Sequence, residues 1–154
     1  MDLFADASGF SNGACAICVC KASKESLKIK KRVLEIIHKD ISSEELEYRA
    51  LVKALSMAKN DSNVYCDNLR VVDEVLLIRS PNPKNIKWYN RARKIIEENP
   101  NLNIMWIPRE KNIAGIYLDS RLNKIKKDLK NVIKARSGRR RTRMWRDKVY
   151  GKKR

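Results

Sequence analysis

Short, mostly apolar runs separated by a turn segment open the chain, and a helical period follows after residue 42. Residues 2–8 (DLFADAS) and 14–21 (ACAICVCK) read as two strands, with Asn12-Gly13 between them supplying the positive φ of a tight hairpin. Residues 27–38 (LKIKKRVLEIIH) are apolar at Leu27, Ile29, Val33 and Ile37, and their β-branched content predicts a third strand. Ser42 followed by Glu45 makes a capping box, after which Glu47, Ala50, Leu51, Ala54, Leu55 and Ala58 form one helical stripe. A short strand over 63–68 (NVYCDN) leads into a helix over 69–79 (LRVVDEVLLIR). The segment SPNPKN breaks the chain, and residues 86–98 form another helix with Trp88, Ala92 and Ile95 on one side. Residues 103–108 (NIMWIP) read as a fifth strand, and REKN precedes a helix from about Ile113 to Ile133 with Leu118, Leu122, Ile125, Leu129 and Val132 inward. The order β-β-β-α-β-α-α-β-α implies an α/β protein with a mixed sheet and helices packed on its faces.

The 154 residues suit one domain, expected over 1–135, with a basic and flexible tail over 136–154. Net charge is +17, and residues 136–154 hold ten bases and one acid, so +9 lies in the tail and +8 in the body. Such a balance fits a polyanion, and nucleic acid suits it better than a membrane, because the tail has no amphipathic face. No run approaches the roughly 18 apolar residues of a membrane span, and the first residues lack a basic leader. An intracellular, cytoplasmic location is expected, with Cys15, Cys18, Cys20 and Cys66 as free thiols. Cys18 and Cys20 share one face of their strand while Cys15 lies on the other, which argues against a zinc site. His38 is the only histidine and has no acid or thiol immediately beside it.

Asp6 stands within the first strand, where a buried carboxylate is costly without partners. Glu47 lies at the start of an apolar stripe, and Asp67 ends the fourth strand. If the first and fourth strands are neighbours and the first helix crosses them, the three acids converge. Converging carboxylates repel unless divalent cations neutralise them, and hard oxygen donors suit Mg²⁺ or Mn²⁺. Two such ions activate a water and stabilise the leaving oxygen of a phosphodiester.

The ordered segments FADAS, ELEYRALVKAL, VYCDNLRVV and WIPREKNIAG resemble the type 1 ribonuclease H family over residues 2 to about 134. The resemblance implies a five-stranded ribonuclease H-like sheet, with strands one to three antiparallel and strands four and five parallel to the first. It implies metal-dependent cleavage of the RNA strand of RNA–DNA hybrids by two ions, with Asp6, Glu47 and Asp67 as three of the metal-binding, catalytic carboxylates. The family's fourth acid falls four residues after the asparagine of REKN, where this chain has Ile116. Asp119, nearly one turn later, is the candidate replacement, because the positions one turn away on either side hold no base that would pair with it. The family's histidine in the loop before the last helix is missing, leaving Arg109, Glu110 or Lys111 for its role.

Contacts to RNA 2′-hydroxyls are expected from Asn12 and Asn68. Lys87, Arg91, Arg109, Arg139, Arg140, Arg141 and Arg143 are candidates for phosphate contacts, as are Lys152 to Arg154. A non-catalytic nucleic-acid-binding protein with the same fold is one alternative. A nuclease acting on DNA junctions or single strands is the other.

Overall fold

The structure, a computed structural model, describes residues 1–9, 15–26, 28–121, 123 and 124. The chain divides into two compact units, Met1–Leu118 and Asp119–Arg154. The first unit carries five strands, β1 (Asp2–Gly9), β2 (Cys15–Ala22), β3 (Ile29–Ile37), β4 (Asn63–Cys66) and β5 (Asn103–Trp106). Its helices are α1 (Ser43–Met57), α2 (Leu69–Val75) and α3 (Ile86–Glu98), and α4 begins at residue 113. Single 3-10 turns precede α3 (Pro83–Asn85) and α4 (Arg109–Lys111).

The sheet order is β3-β2-β1-β4-β5. β1, β2 and β3 pair antiparallel, while β4 pairs parallel with β1 and with β5. This is the mixed topology expected from the segment order. β4 ends at Cys66 opposite Ala5 of β1, so the next residues, Asp6 still within β1 and Asp67 in the bend after β4, lie at neighbouring points.

Strand alternation divides the apolar residues between two faces. Leu3, Ala5, Ile17, Val19 and Val64 pack with Leu46, Ala50, Leu51, Ala54 and Leu55 of α1, and with Ala92 of α3, in one core. The opposite face presents Phe4, Asp6, Cys18 and Cys20, and α4 starts over it: Arg32 lies 4.8 Å from the Tyr117 ring centroid, and Asn112 bonds the Ala5 carbonyl. Cys18 and Cys20 approach to 3.9 Å between Sγ atoms. Cys15 donates instead to the carbonyls of Ile37 and Lys39, so the three thiols do not converge.

Ser42 accepts from the Glu45 N–H at 3.3 Å, which caps α1 as expected. The Glu45 carboxylate does not close the box; it takes Trp88 Nε1 and Arg49. The helix expected over 69–79 is shorter, and α2 stops at Val75. Leu77 adopts φ 64°, and the Leu77 and Ile78 N–H groups bond back to the Glu74 and Asp73 carbonyls. That is a Schellman end, usually made by glycine, and the apolar run Leu76-Leu77-Ile78 gives no sign of it. Beyond it, buried Glu74 accepts from the Tyr48 hydroxyl and the Asn82 N–H, which fastens the connection between α2 and α3.

The expected third strand and fifth strand are each present over a slightly shorter span. Asn12-Gly13, the inward residues of the last helix beyond 121 and the tail over 136–154 lie outside the described residues. Among the described residues no helix is long and apolar enough to cross a membrane.

Candidate metal centre

Asp6 enters from β1, Asp67 from the bend after β4, and Glu47 from the second turn of α1. One carboxylate oxygen of each lies within 4.8 Å of the others. Asp6 is buried, Glu47 and Asp67 are half-buried, and Glu47 Oε2 is enclosed with no hydrogen-bond partner among the described residues. Burial, then the negative charges of Asp6 and Asp67, push the Glu47 carboxyl up to about 8, against the opposing charge of Arg109. The metal-free cluster therefore carries a carboxylate that nothing among the described residues satisfies. A divalent cation would remove both the repulsion and the unmet acceptor, and an all-oxygen donor set suits Mg²⁺ or Mn²⁺. The residues present fit such an ion.

Two residues that sequence reasoning passed over shape the cluster. Asn112 is fully buried; its Nδ2 donates to the Ala5 carbonyl at 2.9 Å and to Asp67 Oδ2 at 3.1 Å. Its Oδ1 accepts from the Ala114 N–H at 3.2 Å, so one side chain joins β1, the end of β4 and the start of α4. Gly115 permits the close approach: a Cβ there would stand 2.7 Å from Asp6 Oδ2. An asparagine directly before a helical run is a readable cap signal, but its link to Asp67 spans 45 residues. The Trp106 indole N–H also donates to the Asp67 backbone carbonyl at 2.9 Å, holding the bend after β4.

The other candidates are dispersed. Arg109 sits in the turn before α4, near enough to Glu47 for its charge to act there. Asn68 caps α2, its Oδ1 accepting from the Val71 N–H. Arg91 and Lys87 lie over the Trp88 ring at 4.6 and 5.8 Å, with Arg49 at 4.8 Å. Trp88 packs against the core, as its place in the helical stripe implies. Ile116 is 55% exposed. Asp119 is exposed and opens the second unit. Asn12, Arg139, Arg140, Arg141 and Arg143 lie outside the described residues.

A family model described as reverse transcriptase-like matches residues 9–118. The chain belongs to the reverse transcriptase-like family. Its fold is the ribonuclease H-like fold, shared with several solved structures. Ribonuclease H1 from the halophilic archaeon Halobacterium salinarum superposes with a TM-score of 0.68 at 21% identity, covering 80% of this chain and 97% of that one. The N-terminal ribonuclease H domain of a Mycobacterium tuberculosis protein gives 0.65 at 18% identity, covering 80% and 96%. LC11-RNase H1 in complex with an RNA/DNA hybrid gives 0.64 at 21% identity, covering 73% and 88%. No curated protein sequence matches the chain. At these identities the structural neighbours support the fold, and the chemistry of this reverse transcriptase-like protein rests on its own residues.

Proposed function

We propose that this protein is a metal-dependent endonuclease that hydrolyses the RNA strand of RNA–DNA hybrids. The observation that carries the proposal is the meeting of Asp6, Glu47 and Asp67 oxygens within 4.8 Å, with Glu47 Oε2 buried and unsatisfied among the described residues. Asp6, Glu47 and Asp67 would hold Mg²⁺ or Mn²⁺; Asp119, the first acidic side chain after Ile116, is the sequence's candidate for a further acid and belongs to the second unit. When bound, the ions supply an activated water and charge stabilisation at the leaving oxygen.

The protein's own part is positional. Asn112 holds the Asp67 carboxylate in one orientation, and Gly115 leaves room for the Asp6 carboxylate. Arg109 offers a cation beside Glu47 for the negative charge of the phosphodiester. Asn68, Lys87 and Arg91, with Asn12, Arg139, Arg140, Arg141 and Arg143, are assigned to the nucleic acid. The hybrid as substrate is supported by the family and by the hybrid held in the complex of LC11-RNase H1.

Labelled RNA–DNA hybrid, duplex RNA, DNA junctions and single strands incubated with Mg²⁺ or Mn²⁺ test the proposal. Preferential cleavage of the hybrid's RNA strand is expected, and Asp6→Asn and Asp67→Asn should abolish it while hybrid binding persists. Binding without metal-dependent cleavage would establish the second reading, a non-catalytic binder, which the exposed Ile116 at the fourth acidic position favours. Cleavage of a junction or single strand in preference to the hybrid would reassign the substrate.

A further inference from the structure

The body of the protein carries its positive charge unevenly. Residues 21–32 contain Lys21, Lys24, Lys28, Lys30, Lys31 and Arg32 against a single acid, Glu25, a net +5 of the +8 held by residues 1–135. These residues span the end of β2, the connection and the start of β3, which is one of the two edge strands of the sheet. Lys28, Lys30, Lys31 and Arg32 are all exposed. None of them takes part in an ion pair among the described residues.

The pairing register makes this concentration costly for the fold. Lys21 stands directly opposite Lys31, and like charges in that relation destabilise a sheet. The register then steps to Ala22 opposite Ile29, leaving Lys30 as the extra residue of a bulge. Lysines and bulges both discourage edge-to-edge pairing, so protection of the edge explains part of the pattern. It does not explain Lys21, which lies on an interior strand and adds only repulsion.

We propose that this edge is a second nucleic-acid contact surface, separate from the carboxylate cluster, which binds the phosphate backbone without sequence preference. The Lys21–Lys31 pair lies three residues along the strands from the row holding Asp6 and Cys18, about 10 Å toward the opposite end of the sheet. Nucleic acid fits better than a lipid surface, because no large apolar residue of segment 21–32 is exposed among those described, which leaves a bilayer only electrostatic attraction without apolar insertion. Binding measured with metal chelated, where no cleavage occurs, tests this surface independently of the nuclease proposal.

Anisotropy of a labelled mixed-sequence DNA duplex is measured against KCl for the full chain and for Lys30→Glu/Lys31→Glu. The substitution keeps the edge charged and places a carboxylate opposite Lys21, so edge protection alone predicts unchanged binding and an equal or higher thermal midpoint. Phosphate contact predicts a slope of log affinity against log salt shallower by about two and a loss of at least tenfold in low salt. Unchanged slope and affinity would overturn the proposal. Should the double variant unfold, Lys21→Gln/Lys31→Gln removes the repulsion without adding charge, and a shallower slope supports phosphate contact while an unchanged one overturns it. Wild-type binding to phosphatidylserine vesicles that the substitution abolishes, with duplex binding untouched, would overturn it in favour of a lipid surface.

Discussion

Asn112 and Asp67, 45 residues apart, are joined by a 3.1 Å hydrogen bond inside the carboxylate cluster. The bond ties the orientation of a proposed metal ligand to the start of α4, since the same asparagine accepts from the Ala114 N–H. Replacing Asn112 by alanine removes a helix cap and leaves the Ala5 carbonyl without its donor. We expect a stability loss of about 2 kcal/mol in urea unfolding. Calorimetric Mn²⁺ affinity should fall roughly 10- to 100-fold, as for other residues that orient metal ligands. Wild-type affinity in a folded variant would remove Asn112 from the site.

Gly115→Ala separates helix stability from metal binding. In an exposed helix the change stabilises by about 1 kcal/mol. Here the added Cβ meets Asp6 Oδ2 at 2.7 Å, and the buried carboxylate must move. Mn²⁺ affinity should drop by at least about tenfold, the order expected when a ligand is displaced, while the urea midpoint changes little. A variant that binds Mn²⁺ normally would show that Asp6 has slack the structure does not reveal.

Glu47 makes the stability of the metal-free protein depend on pH. Its carboxyl is raised to about 8 by burial and by Asp6 and Asp67, whereas the unfolded chain titrates near the ordinary 4.5. The folded state therefore keeps a proton that the unfolded state has lost between these values. This contribution is fully present below pH 4.5 and is lost as pH rises through 8. In chelator, wild type should lose stability between pH 5 and 8 at up to about 1.4 kcal/mol per pH unit, and Glu47→Gln should flatten that slope. Mg²⁺ should reverse the wild-type trend, because binding requires the deprotonated form. An equal slope in the variant would place the titration elsewhere.

Leu77 offers a test away from the site. At φ 64° it occupies the left-handed position of a Schellman end while 64% exposed, so its side chain gains little from packing. Leu77→Gly should stabilise the protein by about 1 kcal/mol through relief of backbone strain, and Leu77→Ala should not. Chemical unfolding of the two variants compares them directly, and equal midpoints would show that the strain is absorbed elsewhere.

Local chemistry was legible wherever the decisive interactions span a few residues. Two short, mostly apolar runs separated by the Asn12-Gly13 turn signal marked β1 and β2, Ser42 with Glu45 marked the start of α1, and the apolar stripe of α1 set its inward face. The odd placement of Asp6 in a strand already pointed to partners elsewhere in the chain. The end of α2 was not legible, because a Schellman motif is announced by glycine and this one is built on leucine.

Sequence by itself determined which acids had to be accounted for and which segments read as strands or helices, and its net charge of +17 made a polyanion the expected partner. Tertiary structure alone decided how the acids were oriented and which neutral residues served them. Asn112 reaches Ala5 across 107 positions, and Gly115 matters only because Asp6 faces it. The repulsion of Lys21 by Lys31 likewise exists only in one strand register. Periodicity reports which side of an element is buried, but distance between side chains remote in the chain is set by how the elements pack, and the chemistry of the cluster depends on that distance.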